Sequence, residues 1–136
     1  MDQKQIDQLV KEFSGIPYLH GGRTMEGLDC IGLVWLFYQK CGIKIQDSDG
    51  KAYSPDWYRQ DPGRFQRGLQ TQGRAIALSE LQPLDLIYFQ IGGAVTHVAV
   101  MVDTHHFLHV MIREVVHVTR LSPSWRRRLV GARRLR

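Results

Sequence analysis

The stretch Gly15–Val34, GIPYLHGGRTMEGLDCIGLV, decides how this chain is read. A glycine-rich loop ends at Asp29-Cys30, and an almost wholly apolar segment follows at once. Asp29 is placed to cap a helix, because its carboxylate can accept from the free amides of a first turn. Ile31, Leu33, Val34, Trp35, Leu36, Phe37 and Tyr38 leave that helix with scarcely a polar face. It is therefore expected at the centre of the core, with Gly42 as its stop. This layout puts the Cys30 thiol in the first turn. A helix N-terminus carries partial positive charge and favours thiolate over thiol, which makes Cys30 a candidate nucleophile.

Upstream, Ile6, Leu9, Val10 and Phe13 form one stripe of an amphipathic helix that Asp2 can cap and Ser14-Gly15 ends. Downstream, Lys44 to Gln82 reads as turns and a short helix after Tyr53-Ser-Pro-Asp-Trp57, with Arg74 to Leu81 mixed. After Pro83 the texture changes to strands: Leu84–Phe89, Thr96–Val102, Phe107–Ile112, Val115–Thr119 and Leu129–Leu135. Gly92-Gly93 marks a turn between the first two. Helices first and antiparallel strands after is an α+β pattern.

The 136 residues suit a single domain, 1–136, able to bury a core without staples. Cys30 and Cys41 do not make a disulfide framework, and Cys41 reads as a boundary residue of the helix. The chain contains no apolar run of membrane-spanning length. Its polar N-terminus does not read as a signal peptide, so synthesis in a cytoplasm is expected, without membrane insertion. The net charge of +5 gathers at the C-terminus, where Trp125 to Arg136 holds six arginines and no acid. Either a solvated basic end or an anionic partner accounts for that. Stacking aromatics are nearly absent there, which argues against nucleic acid.

A thiol nucleophile needs a base, and the base needs a group to orient it. His97 and His109 lie on successive predicted strands. A hairpin centred on Asp103 sets them directly opposite, on one face, with Cβ atoms about 5 Å apart. A two-residue turn at Asp103-Thr104 instead throws His109 to the other face. Alone, a cysteine at a helix start or a histidine on a strand is most often structural; the combination is more specific. His117 could share the face of His109, His20 sits in the glycine loop, and His105 and His106 fall in the turn. The chain has neither a His-Glu-x-x-His nor a Cys-x-x-Cys pattern, so no metal or cofactor is expected, although Cys30, His97 and His109 could ligate one ion.

On these residues the chain resembles the NlpC-type cell-wall peptidases, a papain-like cysteine peptidase family, from roughly Ile6 to Val118. The resemblance is carried by G-x-P-Y-x-x-G-G ending in D-C-x-G-L-V at Gly15–Val34. It is also carried by P-x-D-L-x-x-F at Pro83–Phe89, His97-Val98 opening a strand, and F-x-H at Phe107–His109. It implies N-terminal helices packed on an antiparallel sheet and cleavage of amide bonds in peptidoglycan stem peptides. Carried over by motif, Cys30 is the nucleophile, His97 the base and His109 the orienter. Tyr18 lines the cleft near the oxyanion position, and Asp29 resembles the acid that helps bind a substrate amine. Ile31 stands where the family usually has a serine lining the substrate pocket. The D-C-I-G-L form looks like the phage-tail and gene-transfer-agent branch. That implies a virion tail protein, with tail-tip proteins as partners and the bacterial wall as target. A tail-tip or assembly component with the same fold and little catalysis is the alternative, and acyl transfer to an amine instead of water stays open.

Overall fold

The computed structural model describes residues 1–135. Arg136, last of the six C-terminal arginines, lies outside the described residues. The first helix, α1 (Gln3–Phe13), starts as its sequence dictates. The Asp2 carboxylate accepts from the Gln5 amide at 2.8 Å, and the Gln5 side chain accepts from the Asp2 amide at 2.9 Å. This reciprocal cap satisfies two otherwise free donors. Ile6, Leu9 and Phe13 are buried, and the Phe13 ring meets Phe37 edge-on at 5.3 Å.

A small hairpin, β1 (Arg23–Thr24) and β2 (Gly27–Leu28), fills the glycine-rich loop and delivers the chain to α2 (Cys30–Lys40). Leu33, Val34, Leu36, Phe37 and Tyr38 of α2 are buried. The Tyr38 hydroxyl donates to the Leu84 carbonyl at 2.8 Å, tying this helix to the chain that enters the sheet. Between Lys44 and Gln82 lie two short helices, α3 (Trp57–Gln60) and α4 (Arg64–Gln70), a strand β3 (Arg74–Ala75) and a 3-10 turn at Leu78–Glu80.

The remaining strands are β4 (Leu86–Ile91), β5 (Ala94–Met101), β6 (His106–His109), β7 (His117–Arg120) and β8 (Leu129–Arg134), with α5 (Pro123–Arg126) before the last. They form a six-stranded sheet in the order β3-β8-β4-β5-β6-β7, antiparallel at every pairing. The expected strand bounds shift: the first begins at Leu86 and not Leu84, the third ends at His109 and not Ile112, the fourth runs from His117 to Arg120, and the last ends at Arg134. Side-chain alternation gives the sheet two buried faces. Tyr88, Val98, Val100 and Leu108 join α1 and α2 in one core. Ile87, Phe89, Ala99, Met101, Phe107 and Ala132 form a second, against which Trp125 of α5 packs.

The basic C-terminus is less free than its composition suggests. Arg134 grips the fully buried Asp85 with two donors, each at 2.8 Å. Arg133 donates to the carbonyls of Gln70, Gln72 and Gly73. These two arginines hold β8 and α4 in place. Among the described residues of the run, only the α5 end, Arg126, Arg127 and Arg128, is exposed as a cluster.

Candidate active site

Cys30 is held at the mouth of a cleft by the cap beneath it. Asp29 is 3% exposed. Its Oδ1 accepts from the Gly32 amide at 2.7 Å and from Arg23 Nη1 at 3.0 Å. Its Oδ2 accepts from the Gly21 amide at 2.8 Å and, in a very short bond, from the Tyr53 hydroxyl. The loop and helix approach so closely that a Cβ on Gly32 would lie 1.9 Å from the Gly22 carbonyl oxygen. The glycine at the fourth position of D-C-I-G is thus a packing requirement.

The Cys30 thiol donates to the Thr96 carbonyl at 3.8 Å. Burial first, then the Asp29 charge, pushes its pKa up to about 12, against the pull of the Val98 and Ile31 amides and of Arg23. The expectation that a helix start favours the thiolate is therefore overturned in the resting protein. Desolvation of a half-buried sulfur beside a carboxylate outweighs the amides of the first turn.

His97 and His109 meet as expected, by a different register. The pairs Val100–Leu108 and Met101–Phe107 centre the hairpin on Thr104, one residue beyond Asp103. His97 and His109 are diagonal neighbours in this register and not opposite ones. They keep a common face because the slip is even. His97 Nε2 and His109 Nδ1 are 2.9 Å apart, and His109 Nε2 lies 2.8 Å from the Thr119 hydroxyl. The two histidines are 4% and 1% exposed, boxed in by Phe89, Phe107 and Trp125. A bulge in β5 at Thr96, between the pairs Phe89–His97 and Gln90–Val95, shapes the strand beside the thiol.

Two tautomer sets satisfy the His97–His109–Thr119 chain. In one, each imidazole donates from Nε2 and Thr119 accepts. That set leaves His97 Nδ1 as a free acceptor, and no partner is recorded for Nδ1 among the described residues. The thiol abuts the backbone on both sides of that residue, at the Thr96 carbonyl and the Val98 amide. The arrangement can pass a proton from sulfur to the neutral imidazole, which becomes imidazolium.

Tyr18, Asp29 and Ile31 line the same cleft as Cys30, a space of about 140 Å³ that Tyr53, Trp57 and Tyr58 wall on the far side. Burial, and then the neighbouring Cys30 and Asp29, raises the Tyr18 pKa to about 12. His20 shares the cleft but turns to the Tyr53 carbonyl, 3.0 Å away. His117 pairs with His109 across β6 and β7, their rings 4.6 Å apart. His106 bonds Asp103 in the turn. Thr119 and Trp125 were not singled out from sequence. For Thr119 a signal existed, since it lies on the same strand face as His117. No three His, Cys, Asp or Glu side chains converge as metal ligands among the described residues.

Burial holds the imidazoles neutral. It lowers the His97 pKa to about 4, and burial with the neighbouring His97 and His117 lowers that of His109 to about 3. In the unfolded chain both titrate near 6.5, so between these values the unfolded state binds more protons and stability falls as pH falls. For His97 the shift amounts to roughly 3 kcal/mol once pH is below 4. Melting should thus drop by about 10 °C between pH 7 and pH 4. A flat melting temperature from pH 7 to about 4.5, above the titration of most carboxylates, would contradict a buried neutral pair.

Comparison with known proteins settles the lineage. The NlpC/P60 family profile matches residues 15–134. The chain belongs to the NlpC/P60 family. Its α+β, papain-like fold is the family's: a solved NlpC/P60 family protein from Bacillus cereus ATCC 10987 superposes with a TM-score of 0.72 at 28% identity. That match covers 98% of this chain and 40% of the other. Murein DD-endopeptidase MepS/murein LD-carboxypeptidase of Escherichia coli K12 is 27% identical over 132 residues, 96% of this chain and 61% of the relative. A gamma-D-glutamyl-L-lysine dipeptidyl-peptidase of Bacillus cereus is 30% identical over 129 residues, 91% of this chain and 34% of that protein. This NlpC/P60 chain thus spans about three-fifths of the Escherichia coli relative and about a third of the Bacillus one. No helix among the described residues is long and apolar enough to cross a membrane.

Proposed function

We propose that this NlpC/P60 protein is a cysteine peptidase that hydrolyses amide bonds in peptidoglycan stem peptides. The observation that carries the reading is the hydrogen-bonded His97–His109 pair on strands that also seat the Cys30 thiol. His97 Nδ1 takes the thiol proton, and sulfur attacks the amide carbonyl. The oxyanion draws on the Cys30 amide at the start of α2 and on the Tyr18 hydroxyl. His97 then gives its proton to the leaving amine, and water, deprotonated by the same nitrogen, releases the acyl group. His109 holds His97 in the required tautomer, and Thr119 does the same for His109. With a thiol near 12 and an imidazole near 4, the resting pair is neutral, so sulfur is deprotonated only as attack proceeds.

Relatives named as murein endopeptidase and gamma-D-glutamyl-L-lysine dipeptidyl-peptidase support a wall peptide as substrate. Ile31 in the D-C-I-G-L form supports delivery with a phage tail tip, where the enzyme would open the wall locally. One observation favours a second reading, a tail component with little catalysis: the half-buried thiol is turned to the Thr96 carbonyl, in a setting that pushes its pKa up. Incubation with defined stem peptides, read by mass spectrometry, separates the two. The peptidase yields paired fragments summing to substrate plus water. Intact substrate after prolonged incubation with folded protein overturns the peptidase reading and leaves the tail component.

A further inference from the structure

Among the described residues, Asp29 is the only acid lining the Cys30 cleft. An ionised carboxylate has about four lone-pair sites to offer. All are taken: Gly32 and Arg23 on one oxygen, Gly21 and Tyr53 on the other. Arg23 is also an internal counter-ion, and it adds a bond to the Tyr53 hydroxyl at 2.7 Å. The aromatic wall is equally occupied. The Arg23 guanidinium lies 5.6 Å from the Tyr53 ring centre, and that of Arg59 lies 5.9 Å from the ring centre of Tyr58. A ring already facing a guanidinium is a poor host for a second cation. Ile31 adds an apolar side chain beside the thiol. An ammonium group entering this cleft would lose its water and find no free acceptor carboxylate, because the acid that lines it is already saturated and paired with Arg23.

Resting on the peptidase reading of the same site, we propose that the cleft selects substrates whose nitrogen in it is acylated, and excludes peptides with a free N-terminal amine there. Arg23 occupies the acid that an ammonium would need. The substrate class is thus stem peptide still joined through its N-terminus to an acyl group, as in an intact wall, and not released peptide.

The test compares two stem peptides that are identical except that the N-terminal amine is free in one and acetylated in the other. Near pH 6.5 wild-type protein should cleave the acetylated peptide with a kcat/KM at least about 10-fold higher. An α-amino group loses its charge near pH 8, so the preference should shrink toward unity by about pH 9. Arg23→Gln, which frees Asp29 Oδ1 and leaves its charge uncompensated, should move the ratio several-fold toward the free amine. Should that variant fail to fold, the wild-type ratio and its pH dependence decide alone. Equal or better cleavage of the free-amine peptide by wild type near pH 6.5 overturns this inference and leaves the peptidase reading standing. Cleavage of neither peptide overturns the peptidase reading, and this inference falls with it.

Discussion

Replacing Cys30 with alanine should lower amide cleavage of stem peptides by at least about 10³-fold, because removal of a nucleophile takes with it the covalent route that the base and oxyanion donors serve. The fold should persist. The side chain is only partly buried, and its hydrogen bond to the Thr96 carbonyl, at 3.8 Å, is weak. The cap that starts α2 is made by Asp29 and does not involve sulfur. Release of new amino groups from purified wall fragments, measured beside a melting curve, checks both statements. Retained amine release with an unchanged melt would remove Cys30 from the chemistry. Alkylation of wild-type protein gives an independent reading: a thiol near 12 reacts sluggishly around neutral pH and about 10-fold faster per pH unit as pH rises. Fast reaction at neutral pH would show that the thiol is ionised, contrary to its setting.

The parts of this architecture that could be read in advance are those written in local chemistry. Asp2 with Gln5, and Asp29 with Gly32, announce where two helices begin, and the burial stripe of α1 follows the same periodicity. Strand identity was visible in β-branched runs, but strand neighbours were not. The pairing of Arg74–Ala75 with Arg133–Arg134 joins exposed or partly exposed residues with no alternation to read. Helix α4 buries only Phe65 and Leu69, a signal of two positions around a glycine. The site divides along the same line. Cys30, His97 and His109 were legible because their residue types are rare in that company. Their energetics were not, since burial is a tertiary property. The helix-start argument for a thiolate counts amides that the chain supplies locally, whereas the opposing desolvation comes from packing. Thr119 and Trp125 escaped for a related reason: a threonine on a strand and a tryptophan among arginines are ordinary until β7 and α5 fold back onto His109.

Replacing His97 should cost nearly as much as replacing Cys30, about 10³-fold in kcat, because the thiol abuts the backbone on both sides of His97, whose Nδ1 is left free by the bond to His109. His97→Gln is preferable to alanine: it fills more of a fully enclosed site and can still bond His109, where alanine would leave a buried nitrogen unpaired at a cost of about 1–3 kcal/mol. The losses should then grade along the chain of hydrogen bonds. His109→Ala removes the group that sets the tautomer and should cost about 10²-fold, while Thr119→Val, two hydrogen bonds from His97, should cost about 10-fold and be rescued by Thr119→Ser. The pH profile carries the sharper test. A base that is neutral down to about 4 keeps kcat/KM level from neutrality to about pH 5, and the acid limb belongs to the coupled imidazoles together. Exchange of Thr119 for valine should lower the plateau and move that limb, since it alters the proton that His109 can hold; a merely structural hydroxyl would lower stability and leave the limb in place. An acid limb near 6.5 in the wild type would mean that the imidazoles are hydrated when the enzyme works, and a profile falling on the alkaline side below pH 9 would mean that a preformed thiolate–imidazolium pair does the attacking.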